Sequence, residues 1–193
     1  MQVNDLPSVR LHPRLAELFQ QAGGRHLKDD ELDLLLGEVP ELALQVEAAR
    51  TIRSVATGVI KKVVAEVFSQ YPYEKAHEHA LAKCPRDVNY VVAYAALAML
   101  ARDPEWLDNK VLLWLRSILQ SFEFPDRVKS AANALFADRV LEDALAKLPV
   151  KNRSTFHCYY RVQQEMRKAM PAAQFEQIQP YLQLTIDTLT EVY

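Results

Sequence analysis

Glycine is scarce in this sequence, with four residues among 193 against ten prolines. Tight β-hairpins, dinucleotide-binding loops and P-loops all depend on glycine, either for positive φ angles or for close approach of the backbone to a phosphate. The scarcity therefore argues against sheets joined by tight hairpins, against a Rossmann loop and against a P-loop.

The sequence also has few cysteines, little net charge and no long apolar run. The two cysteines, Cys84 and Cys158, are too few for a disulfide framework, which predicts a reducing, cytoplasmic compartment. The net charge of −2 gives no general attraction to nucleic acid or to an anionic membrane. The longest apolar run, residues 91–101, is too short to span a bilayer, and residues 1–10 lack an apolar stretch. We therefore expect no membrane insertion, no signal peptide and no nucleic-acid partner.

The residues that are present indicate helices. Half of the chain is hydrophobic and a quarter is charged, and the length favours one domain over residues 1–193. Apolar residues recur every three or four positions, which is the helical period. This period predicts about eight helices, with Val59, Val63 and Ile118 in the core. They lie near residues 12–22, from "KDDELDLLLGEVPE" onward, at 41–70, through "AKCPRDVNYVVAY" to about 102, from 104 through "WLDNKVLLWLRSILQSF", at 125–148, at 153–169 and after Pro171. An all-α fold follows, either a globin-like packing or a helical bundle.

The stretch "AKCPRDVNYVVAY" stands out because a cysteine, a helix breaker and an ion pair follow one another. Asp87 lies three residues after Cys84 and so shares its helical face, which Val88 and Val91 extend with apolar surface. A thiol, a carboxylate and an apolar wall on one stripe suit a large conjugated ligand held covalently. The alternative is a buried structural cysteine at a helix start.

Pro85 complicates this helix because it has no N–H to donate and its ring clashes with the carbonyl of Leu81. Either the helix kinks at Pro85, or it begins there with Cys84 as a poor N-cap.

Other candidate sites are weaker. His77 and His79 are two residues apart, which places them on different helix faces, and no Cys/His cluster accompanies them for zinc or haem. The stretch "RSTFHCYYR" interleaves basic and aromatic residues, but an amphipathic surface helix explains it better than stacking on nucleic acid. Cys84 has no base nearby in the sequence, so we expect no enzymatic activity.

"KCPRDVNYVVAYAALAMLARD" resembles the chromophore helix of the phycobiliproteins, the light-harvesting proteins of cyanobacteria and red algae. Their pattern is a cysteine, one variable residue, Arg-Asp, an aromatic three positions on, and a closing Asp. The matching positions are Cys84, Arg86, Asp87, Tyr90 and Asp103, with Lys83 as the preceding basic residue. The segments "TIRSVATGVIKKVVAEVFSQYPY", "ILQSFEFPDRVKSAANAL" and "IQPYLQLTIDTLT" resemble further family segments in the same order.

The resemblance implies an all-α, globin-like, phycocyanin-type fold. Residues 1–40 would form an N-terminal helical hairpin, and residues 137–162 an inserted helical segment near the C-terminus. It also implies a bilin cofactor similar to phycocyanobilin. Cys84 would form the thioether, Asp87 would bind the central pyrrole nitrogens, and Arg86 would contact a propionate. The remaining expected site residues are Lys83, Tyr90, Val88 and Val91.

The implied function is light harvesting in the antenna, with phycobiliprotein-like subunits or antenna components as partners, or with a second copy of the chain. The location would be cytoplasmic, at the periphery of the thylakoid membrane. Ala93 stands where the family pattern has a second basic residue, and Pro85 where it has a helix former. These two residues motivate an alternative, a chromophore-free interaction, assembly or regulatory protein that acts on phycobilisome or photosystem components.

Overall fold

The structure is a computed structural model that describes residues 8, 9, 12, 14–71, 80–121 and 138–190. The predicted histidines 77 and 79 lie outside these residues, as does the first part of the helix predicted near 125–148.

Every regular element in the described ranges is helical, which confirms the all-α prediction. The N-terminal part contains α1 (Ala16–Gln21), α2 (Asp29–Glu38), a 3-10 turn (Pro40–Leu42) and the long helix α3 (Ala43–Gln70). Helix α4 (Ala80–Ala101) is followed by α5 (Pro104–Leu107), a π-helical turn (Asp108–Leu112) and α6 (Leu113–Ser121). The C-terminal part contains α7 (Arg139–Lys147), α8 (Val150–Ala169) and α9 (Ala172–Thr190).

The core lies where α3 packs against α4, α8 and α9, and where α9 packs against α4 and α8. Val63 on α3 is fully buried, as predicted, and Val59 packs against the edge of the core. The prediction for Ile118 is wrong, because Ile118 is only half-buried and α6 contains no buried residue. Helix α6 packs mainly against α9, so its other faces keep partial access to solvent.

Helix ends follow local chemistry. Asp138 caps α7 by accepting hydrogen bonds from the backbone N–H groups of Val140 (3.0 Å) and Leu141 (3.2 Å). At the end of α4, Arg102 has φ +52°, in the left-handed region, and the N–H of Asp103 donates back to the carbonyl of Ala98 (3.0 Å). The Asp103 carboxylate then caps α5 by accepting from the N–H of Trp106 (2.9 Å). Asp103 thus has a structural role at this corner.

Pro85 lies inside α4, which begins at Ala80 and runs through the proline. The alternative in which the helix begins at Pro85 is therefore wrong. Cys84 sits within the helix rather than at its N-cap.

The turn between α1 and α2 packs on α4. Gly24 has φ +78°, and a Cβ atom there would lie 1.9 Å from Cε2 of Tyr90, so the ring rests directly on the glycine backbone. The hydroxyl of Tyr94 lies 3.0 Å from the position of a Cβ on Gly23. The imidazole Nε2 of His26 lies 3.4 Å from Oδ1 of Asn89. These contacts fix the turn on the side of α4 that carries Asn89, Tyr90 and Tyr94.

A charged cluster joins α3 to α8. The guanidinium of Arg161 donates to both carboxylate oxygens of Glu66 (2.8 and 3.1 Å), and Nε2 of His157 lies 3.4 Å from the same carboxylate. Glu165 is buried and accepts hydrogen bonds from Lys62 (2.5 Å) and Lys168 (2.8 Å). These two ammonium groups lower the pKa of Glu165 to about 2.

Across the described helices, none combines the length and apolar content needed to cross a membrane.

Candidate functional site

Cys84 lies in the second turn of α4, half-buried at the edge of the hydrophobic core. Burial, assisted by the negative charge of Asp87, raises the pKa of Cys84 to about 11. The side chain is therefore a neutral thiol at pH 7 and still keeps part of its surface accessible.

Asp87 and Arg86 form an ion pair beside the thiol. The Nε and Nη2 atoms of Arg86 donate to Oδ1 of Asp87 at 2.8 and 2.7 Å. The side chains of Arg86 and Asp87 are 70% and 54% exposed, and Lys83 is exposed as well. The second carboxylate oxygen of Asp87 takes no part in this pair, so an incoming donor can still bind to it.

Val88 and Val91 belong to the core. They are 4% and 1% exposed, and both pack in the main hydrophobic cluster. The apolar face predicted beside Cys84 therefore points inward, while Asp87 stays at the surface. Ala93 is also fully buried, so it offers a ligand no contact at the surface.

Tyr90 is placed away from Cys84. Its ring rests on Gly24 and meets the ring of Tyr94 edge to face, with centroids 5.0 Å apart. Burial and the hydrogen bond with Tyr90 raise the pKa of Tyr94 to about 12. Among the predicted site residues, the structure thus brings together Cys84, Arg86 and Asp87 and directs Tyr90 to the α1–α2 turn.

Two residues of α8 that the local motif does not indicate lie within electrostatic range of Cys84. Cys158 is 6% exposed, and burial together with the charge of Cys84 raises its pKa. Tyr159 is 7% exposed, and its pKa is raised well above its ordinary value by burial and by the charges of Cys158, Cys84 and Asp87. We call Cys84, Asp87, Cys158 and Tyr159 the Cys84 site. The prediction of a surface helix for "RSTFHCYYR" is wrong, because Phe156, His157, Cys158 and Tyr159 within it are buried.

The chemistry of the Cys84 site favours an organic ligand over a metal ion. Within the described ranges, no group of three His, Cys, Asp or Glu side chains is arranged to hold a metal ion. The thiol of Cys84 can form a covalent bond, and Asp87 can accept hydrogen bonds from N–H groups. The thiol of Cys158 is enclosed, so Cys84 is the one cysteine of the chain with accessible surface.

Comparisons of the sequence with known proteins agree with the all-α structure. Residues 20–189 match the model of the family described as "Phycobilisome protein". The allophycocyanin beta chain of Microchaete diplosiphon is 34% identical over 119 residues, which cover 59% of this chain and 72% of that protein. The allophycocyanin beta chains of Picosynechococcus sp. and Cyanidium caldarium are 34% and 32% identical over 107 residues, which cover 53% of this chain and 66% of each protein. This chain therefore belongs to the phycobilisome protein family, whose globin-like all-α fold it shares.

Proposed function

We propose that this chain is a light-harvesting subunit of the phycobilisome that carries a bilin bound covalently at Cys84. The observation that carries the proposal is the partly accessible Cys84 thiol beside the exposed carboxylate of Asp87. Both residues lie within residues 20–189, which match the family model. A bound linear tetrapyrrole would supply the absorption of visible light.

Cys84 would form the covalent bond by addition. Its sulfur bonds to one carbon of a carbon–carbon double bond, and the thiol proton goes to the other carbon, so no oxidant or reductant is needed. Because the pKa of Cys84 is about 11, little thiolate is present at pH 7. Efficient attachment therefore needs a base that removes the thiol proton, or an attachment factor that supplies one.

Asp87 would hold the ligand by its charge. A carboxylate that accepts hydrogen bonds from two pyrrole N–H groups makes charge-assisted bonds, which are stronger than neutral ones. Arg86 already donates to one oxygen of Asp87, which fixes the orientation of the carboxylate. Arg86 and Lys83 are exposed and can reach a propionate at the edge of the ligand.

The partners we propose are phycobiliprotein subunits or a second copy of the chain, contacted through the N-terminal hairpin region, residues 1–40. Residues 137–162 remain our candidate for an insertion; they contain α7 and the first part of α8. The location we propose is cytoplasmic, at the thylakoid surface. We assign the chain no enzymatic reaction of its own.

The test is co-expression of the chain with bilin biosynthesis and an attachment factor, followed by zinc-enhanced fluorescence on a denaturing gel. The wild-type band should fluoresce, and the Cys84→Ala band should not. Cys158→Ala is the matched control, because it removes the enclosed thiol and should leave the fluorescence unchanged.

Fluorescence that survives in Cys84→Ala would contradict attachment at this residue, and a dark wild-type band would contradict covalent attachment altogether. A colourless protein that nevertheless binds antenna or photosystem subunits would favour the alternative, a chromophore-free assembly protein. The burial of Ala93 supports that alternative, because a buried alanine offers a ligand no contact at the surface.

A further inference from the structure

Two lysine ammonium groups lie side by side on the surface where α3 packs against α8. Lys62 of α3 donates to one carboxylate oxygen of Glu165 (2.5 Å), and Lys168 of α8 donates to the other (2.8 Å). The side chain of Glu165 is 8% exposed, whereas those of Lys62 and Lys168 are 62% and 65% exposed. One buried carboxylate therefore fixes two cations at the surface. Each ammonium group has three N–H donors, so donors remain for an anion from outside the chain.

Lys61 and Arg167 extend this surface. Both are exposed, each is next in sequence to one of the two lysines, and neither forms an ion pair with the described residues. We call Lys61, Lys62, Arg167 and Lys168 the basic patch. The helix dipole explains part of it, because cations are favourable in the last turn of α8. It does not explain Lys61 and Lys62, which lie well inside α3.

The basic patch concentrates positive charge that the whole chain lacks. Residues 61–66 of α3 and 161–168 of α8 contain five cationic and two anionic side chains, an excess of three positive charges. Since the net charge of the chain is −2, the remaining residues carry an excess of five negative charges. An anionic surface would therefore attract this side of the molecule and orient the chain.

The neighbours of the basic patch indicate a broad, polar partner. On α3 the exposed residues one turn away are Gly58 and Ala65, and a Cβ on Gly58 would meet nothing within 4 Å. None of the large exposed apolar side chains lies within residues 54–69 or 161–169. Protein–protein interfaces usually depend on large apolar or aromatic anchors, which these two segments do not expose. Cations without such anchors are typical of a contact with anionic lipid headgroups.

We propose that the basic patch binds the surface of a membrane that contains anionic lipids. The ammonium and guanidinium groups contact the phosphate headgroups, and no helix enters the bilayer. The binding is reversible and depends on salt, because exposed charges are screened beyond about 10 Å at 0.1 M ionic strength. This inference goes beyond the proposed function and does not depend on a bilin. It supplies the contact for the location at a membrane surface.

The test is co-sedimentation of the purified chain with vesicles at an ionic strength of about 0.1 M. Wild type should bind vesicles made of equal parts phosphatidylcholine and phosphatidylglycerol, and it should not bind phosphatidylcholine alone. Lys61→Gln/Arg167→Gln removes two exposed cations without breaking an ion pair of the described residues. Each charge changes the partitioning about 5-fold, so this variant should bind about 25-fold more weakly.

Lys110→Gln/Arg139→Gln is the matched control. Lys110 in the π-helical turn and Arg139 of α7 are also exposed and form no ion pair with the described residues. Both double variants change the net charge from −2 to −4, so only the position of the removed charges differs. The control should bind within about 2-fold of wild type, because distant charges are screened. All three proteins should melt at the same temperature, since the four substituted side chains are exposed.

Three results would overturn the membrane assignment. Wild type could fail to sediment with the anionic vesicles, or both double variants could lose binding equally. Wild type could also bind immobilised polyglutamate but no vesicle, with only the patch variant losing that binding, and the partner would then be an acidic protein. None of these results involves a bilin, so the proposed function would stand. A dark wild-type band on the denaturing gel would in turn leave the membrane assignment intact.

Discussion

The contact between Gly24 and Tyr90 makes a sharp stability prediction for Gly24→Ala. Gly24 has φ +78°, and an alanine in this left-handed region costs about 1–2 kcal/mol. The new Cβ would lie 1.9 Å from the Tyr90 ring, closer than any real contact, so the ring must leave. Tyr90 is 41% exposed and can swing into solvent, but it then loses its edge-to-face contact with Tyr94, worth about 0.5–1.5 kcal/mol. We therefore expect a loss of about 2–3 kcal/mol in the free energy of unfolding.

The assay is urea denaturation followed by tryptophan fluorescence, with the midpoint and the slope both fitted. Gly37→Ala is the matched control: it lies within α2, nothing lies within 4 Å of an added Cβ, and we expect a gain of about 0.5–1 kcal/mol. In the double variant Gly24→Ala/Tyr90→Ala the clash is absent, so the second substitution should cost less than it does alone. If Gly24→Ala behaves like Gly37→Ala, the close packing of the turn on α4 is wrong.

Three further predictions concern the core, the thiols and the histidines. Leu97→Ala empties a core position that is 1% exposed and should cost about 2–5 kcal/mol in urea denaturation; a loss below about 1 kcal/mol would contradict its burial. Iodoacetamide should modify Cys84 about ten times more slowly than a free cysteine at pH 7, because the thiolate fraction falls more than its nucleophilicity rises. Mass spectrometry should find Cys158 unmodified until the chain unfolds, and equal labelling of both thiols would refute this. Burial lowers the pKa of His26 and His157 below 6.5, so the unfolded chain binds more protons than the folded chain as the pH falls below 6.5. The free energy of unfolding should then be highest above pH 6.5 and lower at pH 5.5. Equal urea midpoints at pH 5.5 and 7.5 would contradict this.

The helices could be predicted because each leaves a local signal. In α3 the apolar stripe alone predicts the burial of Val63, and Gln70 ends the helix as predicted, two residues before Pro72. The prediction for Ile118 failed because periodicity shows which face of a helix is apolar but not how much of that face a neighbour covers. The continuous helix through Pro85 could not be predicted either, because packing of the following residues in the core overrides the local cost of the proline.

The Cys84 site was predictable only along its own helix. The spacing of Cys84 and Asp87 places them on one face, and both are found next to each other at the edge of the core. Cys158 and Tyr159 come from α8, and nothing in a single sequence shows that their charges act on the first turns of α4. Tyr90 could have been excluded from the ligand face by geometry, since six residues along a helix place it about 120° away from Cys84.

Helix α4 therefore carries two different surfaces, and substitutions can separate them. Cys84 and Asp87 lie at the partly accessible Cys84 site, whereas Asn89, Tyr90 and Tyr94 hold the α1–α2 turn. Gly24→Ala should then reduce stability and leave the fluorescence of the attached bilin on a denaturing gel unchanged. Cys84→Ala should do the reverse, because it removes the thiol that forms the covalent bond and takes away only one half-buried side chain at the edge of the core. If both substitutions altered both properties, the two surfaces would be coupled through α4, and the turn would have to be counted as part of the ligand site.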